Sequence, residues 1–129
     1  MQVFLHIGIG KTGSSSIQSV LARNRHTLTR QSFVYPVTGV RHEVYGSGHF
    51  DLTPVDAREI SGGLAHLYDQ LEDEMASSGA DKAIISSEFL AFACEGFVAD
   101  LARRLARHEV RVIFYGREQC SLIESTYLW

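Results

Sequence analysis

Apolar residues run along this chain in two rhythms. Short unbroken runs, VFLHI at 3–7, AII at 83–85 and VRVIFY at 110–115, have the length and composition of buried strands. Between them, apolar positions recur at steps of three and four, as on the packed face of a helix. These are Ile17, Val20 and Leu21, then Ile60, Leu64, Leu67 and Leu71, then Val98, Leu101 and Leu105. The pattern predicts a strand over 3–7, a helix over 14–30, a short strand over 33–35 stopped by Pro36, and an irregular stretch over 37–53. It continues with a helix over 55–77, a strand over 82–87, a helix over 97–107, a strand over 109–115 and a last helix from 118. Pro54 and Asp56 read as start signals of the second helix, Gly62 and Gly63 as a bend within it. Strands that alternate with helices predict a three-layer α/β/α fold around a central parallel sheet, in one domain over residues 1–129.

Composition narrows the class. With 129 residues, 45% hydrophobic and 21% charged, there is material for one modest core and not for two. A formal net charge of -3 weighs against a nucleic-acid partner held by general electrostatics, so any anion site must be local. The basic run Arg23, Asn24, Arg25, His26 and Arg30 reads as a solvated helix end, and Asp69, Glu72, Asp73 and Glu74 as a solvated acidic surface. Cys94, in an apolar stretch, and Cys120 lack metal-ligand spacing and read as free thiols of a reducing compartment. The first apolar run begins almost at Met1 and is too short to span a bilayer; the expectation is a cytoplasmic protein without a membrane span.

The candidate chemistry starts at the first turn. Strand 3–7 runs into Gly8-Ile9-Gly10-Lys11-Thr12-Gly13, and a helix opens on Ser14, Ser15 and Ser16. Glycines let the backbone approach an anion, and the unpaired N–H groups of a first helical turn point at it. Lys11 adds a positive charge, and Thr12, Ser14, Ser15 and Ser16 add hydroxyl donors. The nucleoside-triphosphate loop GxxxxGK[ST] is only half matched, because Leu5 stands where its first glycine belongs.

Lys11, Thr12, Gly13, Ser14 and Ser15 do match another pattern. Their Lys-[Ser/Thr]-Gly-[Ser/Thr]-[Ser/Thr] order resembles the 5′-phosphosulfate loop of sulfotransferases, which use 3′-phosphoadenosine 5′-phosphosulfate (PAPS) as donor. Those enzymes also carry an arginine after a core strand followed, eight positions on, by a serine; Arg117 and Ser125 stand at that spacing after VIFY. The resemblance implies a P-loop nucleotide-hydrolase-like fold, incomplete here because the family continues past this last helix, and sulfuryl transfer to a hydroxyl or amine acceptor. It implies that the cradle holds the 5′ end of the donor, that Arg117 and Ser125 hold its 3′-phosphate, and that Lys11 neutralises the leaving oxygen. The product would be adenosine 3′,5′-bisphosphate, and no metal is required. By the same resemblance the catalytic base lies at the end of the strand before Arg117, where Glu88 stands; His49 in Gly-His-Phe is the second candidate base. The acceptor is a carbohydrate, lipid or small metabolite, and the apolar chain end implies either a missing C-terminal segment or a homo-oligomer. Two other readings remain open. One is a P-loop small-molecule kinase or nucleoside triphosphatase, the other a non-catalytic nucleotide-binding module.

Overall fold

The computed structural model describes residues 1–41, 47–54 and 56–127, the side chain of residue 125 excepted. Its sheet has four parallel strands, β1 (Gln2–Gly8), β2 (Phe33–Val34), β3 (Lys82–Ser86) and β4 (Glu109–Tyr115), in spatial order β2-β3-β1-β4. Five α-helices lie among the described residues: α1 (Ser14–Arg23), α2 (Arg25–Arg30), α3 (Gly62–Ser77), α4 (Glu95–Arg104) and α5 (Gln119–Tyr127).

Alternation along the strands divides the side chains between two faces. Val3, Leu5, Ala83 and Ile85 point to one face, where Leu71 and Met75 of α3 and Phe97 and Leu101 of α4 complete the core. Phe4, His6, Ile84 and Ile113 turn to the other face, opposite Ile17 and Leu21 of α1. Helices therefore flank a central parallel sheet on both sides, as the alternating pattern implies. From β1 the chain crosses to β2 by way of α1, and from β3 it crosses to β4 by way of α4. These crossings leave neighbouring strands in opposite directions, which makes the carboxyl ends of β1 and β3 the switch point of the sheet.

Several elements differ from their expected bounds. The first helix breaks at Asn24, whose amide Nδ2 donates to the Val20 carbonyl at 2.7 Å and whose backbone leaves the helical region at φ -106, ψ 19. Asparagine competes with the helix for its own carbonyls, and the chain restarts one residue later. The basic run is also more than a solvated end. Arg25 Nε donates to the Tyr35 carbonyl at 2.9 Å, and Arg25 Nη2 donates to the Pro36 carbonyl at 3.3 Å, tying α2 to the residues after β2. The second helix starts at Gly62 and not near 55. Gly62 sits at φ +55, which cannot prolong a right-handed helix arriving from upstream. Two glycines inside a helix would cost about 2 kcal/mol, and almost nothing at its first turn. Ile60, expected on that helix, instead enters the core from a turn, and its N–H donates to Asp100 Oδ2 at 3.0 Å.

The irregular stretch contains a 3-10 turn at Phe50–Leu52, and its residues 42–46 lie outside those described. α4 begins two residues early, at Glu95, and ends at Arg104. The apolar setting does not bury Cys94, which is exposed with its thiol donating to the Arg58 carbonyl. The acidic end of α3 is a set of ties: Asp69 to Arg104, Glu72 to Arg107 and His108, and Glu74 to the N–H groups of Val37 and Thr38. Partial burial pushes the Glu74 carboxyl up, but hydrogen bonds from Thr38 and Val37 outweigh it and leave the pKa below the ordinary value. β4, at the edge of the sheet, leaves Val112 and Phe114 exposed. No helix among the described residues is long and apolar enough to cross a membrane.

Candidate functional site

β1 runs out at Gly8 and the turn that follows is held by its own residues. Thr12 Oγ1 donates to the Ile9 carbonyl at 2.8 Å, so this hydroxyl braces the loop. Lys11 sits at φ +67, a conformation that non-glycine residues adopt at a cost, and Gly13 sits at φ +85 as the residue that caps α1. The N–H groups of Ser16 and Ile17 donate to the Gly13 carbonyl at 3.1 and 3.2 Å, starting the helix. A Cβ built on Gly13 would meet nothing within 4 Å, so the loop is open on that side.

The three serines part company at this point. Ser14 is buried and its hydroxyl donates to Glu88 Oε1 across the loop. Ser15 and Ser16 are exposed and border a surface hollow with Ser19 and Arg23. Of the expected hydroxyl donors, Ser14 and Thr12 are thus engaged within the protein, while Ser15 and Ser16 face outward with Lys11. Glu88 opens the 3-10 turn Glu88–Phe92 just beyond β3, half-buried, and its Oε2 lies 3.6 Å from where a Cβ on Gly10 would stand. It stands against the loop, at the switch-point rim.

Arg117 arrives at the same rim from β4. Gly8 of β1 is the register partner of Tyr115, and two residues later Arg117 Nη1 donates to the Lys11 carbonyl at 2.9 Å. Arg117 is exposed, so the rest of its fork remains on the surface beside the loop. Glu118 follows and caps α5. It accepts from the N–H groups of Ser121 and Cys120, and those bonds pull its pKa down to about 2. Ser125 lies on α5, with its side chain outside the described residues.

His49 is not available as a base. It is 0% exposed, and both ring nitrogens are engaged by backbone: the Ser86 N–H donates to Nδ1 at 3.1 Å, and Nε2–H donates to the Pro36 carbonyl at 3.1 Å. This pattern fixes the neutral tautomer. Burial lowers its pKa to about 4, against the opposing pull of the Pro36 carbonyl. His49 is a buried strut that pins residues 47–53 to the end of β3.

A neighbouring polar cluster went unnoticed in the sequence. Ser86 Oγ meets His6 Nδ1 at 2.7 Å and accepts from Gln18 Nε2 at 3.1 Å, linking β1, β3 and α1 under the loop. His6 interrupts an apolar strand run, and a polar residue in such a run needs a buried partner; that was the signal for it. Burial lowers the His6 pKa, with Glu88 pulling the other way. Among the described residues no group of three or more His, Cys, Asp or Glu side chains is arranged to hold a metal ion.

Comparison of the chain with family models, with curated proteins and with solved structures gave no match. The functional reading therefore stands on this geometry and on the motifs.

Proposed function

We propose that this chain is a sulfotransferase-type domain that binds PAPS and transfers its sulfuryl group to a hydroxyl or amine acceptor. The observation that carries the reading is the hydrogen bond from Arg117 to the Lys11 carbonyl, which brings the arginine from the far end of the chain against the loop that bears Lys11. A nucleotide with phosphates on both its 3′ and 5′ oxygens needs such a pair of neighbouring anion sites. An ordinary triphosphate needs one long cradle instead. The open space over Gly13 and the outward hydroxyls of Ser15 and Ser16 suit the 5′ end, and Arg117 suits the 3′-phosphate. The helix-borne Ser125 would join Arg117 there.

The donor supplies the activated sulfuryl group. Lys11 would offset negative charge as it develops on the leaving phosphate oxygen. Glu88, held against the loop by Ser14, would take the proton of the acceptor hydroxyl. Localisation in the cytoplasm and a glycan, lipid or small-metabolite acceptor belong to the same proposal.

One observation favours the kinase or nucleoside-triphosphatase alternative. A hydroxyl at the start of a loop-borne helix, bonded to a carboxylate beyond a core strand, is the pair with which P-loop enzymes hold Mg²⁺. Isothermal titration with adenosine 3′,5′-bisphosphate, and separately with ATP plus magnesium, separates the two. Tighter binding of the bisphosphate supports the sulfotransferase; tighter binding of ATP with magnesium overturns it.

A further inference from the structure

The sheet has two edges, and they differ. β2 closes one with two residues, whereas β4 closes the other with seven, and among the described residues no strand lies beyond β4. An edge strand turns a row of N–H and C=O groups outward, and proteins ordinarily guard such a row by shortness, lysine, proline or a bulge. The β4 sequence EVRVIFY has neither lysine nor proline, and it pairs with β1 residue for residue, without a bulge, from Gln2 with Glu109 to Gly8 with Tyr115. Its side chains are apolar on both faces of the sheet. Val110, Val112 and Phe114 share the face that α4 covers; Val112 is 60% and Phe114 57% exposed, and Val98 of α4 stands exposed beside them. Ile113 and Tyr115 lie on the α1 face. What completes such an edge is another strand, apolar on both of its own faces, and β4 is itself a strand of that kind.

We infer that β4 is a dimer interface, in which two copies of this chain pair their β4 strands antiparallel about a two-fold axis at Ile113. A two-fold axis lets one patch serve both sides of the contact. The charges choose the register. An axis at Arg111 would set that cation against its own copy, and an axis at Val112 would set Glu109 against the Tyr115 ring and Arg111 beside Ile113. With the axis at Ile113, Arg111 meets the ring of the partner's Tyr115 as a cation on an aromatic, Val112 meets the partner's Phe114, and the two Ile113 side chains meet each other. The pairing uses none of Lys11, Glu88 and Arg117, so it stands or falls apart from the nucleotide reading.

Sedimentation of the whole chain tests this. A dimer is expected at about 100 μM, dissociating on dilution to about 1 μM, as suits an interface of modest area. Val112→Lys, which charges the exposed apolar row, is expected to give a monomer with an unchanged circular dichroism spectrum. Val20→Lys is the control, because Val20 is 59% exposed but lies on α1, and it is expected to remain a dimer. Opposed residues of antiparallel strands lie close enough for a disulfide. In a chain carrying Cys94→Ser and Cys120→Ser, Ile113→Cys is therefore expected to cross-link to its own copy on mild oxidation, and Arg111→Cys is not. A chain that is monomeric at every concentration leaves the edge to a strand from another source and overturns the proposal. A dimer that survives Val112→Lys, dissociation by Val20→Lys, or cross-linking through position 111 instead of 113 would each overturn it too.

Discussion

Replacing His49 by leucine tests whether this histidine is a strut or a proton carrier. The substitution leaves the buried Ser86 N–H without its acceptor, at about 1–3 kcal/mol, and removes the edge-on contact with the Tyr35 ring, at roughly 0.5–1.5 kcal/mol. The Pro36 carbonyl keeps Arg25 as a donor and adds little. The expected loss near neutral pH is therefore about 2–4 kcal/mol of folding stability. It should shrink in acid. His49 has a folded pKa of about 4 against 6.5 unfolded, so the folded state resists protonation, and the stability it contributes is present above 6.5 and lost as the pH falls towards 4. Between about pH 7.5 and about pH 5 the native chain should give up about 2 kcal/mol at this residue, being roughly 1.5 units below 6.5 at about 1.4 kcal/mol per unit. The leucine variant has no such group to titrate. Urea unfolding of both proteins at the two pH values should show the gap between them closing by that amount. A gap that stays constant with pH would refute the assignment of a neutral, backbone-locked His49.

The remaining predictions concern the rim and one loop. Arg117→Ala should weaken adenosine 3′,5′-bisphosphate by about 30- to 100-fold, for a lost charged hydrogen bond, but adenosine 5′-phosphate by only about twofold for the loosened Lys11 carbonyl; calorimetry that finds equal losses would detach Arg117 from a 3′-phosphate. Glu88→Gln should lower sulfuryl transfer by about 100-fold or more while leaving bisphosphate affinity intact or improved; unchanged turnover would remove Glu88 as the base. Gly39→Ala places a methyl group on the Leu52 side chain at φ +80 and should cost about 2–4 kcal/mol in urea unfolding; a change within about 0.5 kcal/mol would mean that the turn relaxes freely.

The layered architecture was legible because strands read as short apolar runs and helices as three-and-four periodicity; VFLHI, AII and VRVIFY gave the first signal, although the last of them lies exposed at the sheet edge. Boundaries were less legible where single residues decide them. Asn24 parted a helix whose apolar pattern continued across it, and Gly62 moved the start of another past Pro54 and Asp56. At the site, the order of residues placed Lys11, Gly13 and Glu88 along one rim, since consecutive elements of a parallel sheet bring their carboxyl ends together. Local sequence could not divide the labour among Ser14, Ser15 and Ser16, because which hydroxyl turns inward depends on Glu88, 74 positions away from Ser14. Separation in sequence also concealed the burial of His49, whose partners Pro36 and Ser86 lie 13 and 37 positions away.

The backbone of Lys11 carries a consequence for anyone who alters that residue. Its left-handed φ of +67 means that a careless replacement changes two quantities together, the positive charge and the strain of the turn. Glycine would discharge the loop and relax it at once; valine or isoleucine would discharge it and force it out of shape. Arginine and methionine form the informative pair, because their unbranched stems tolerate the bend about as well as lysine does, so their comparison reports on the cation alone.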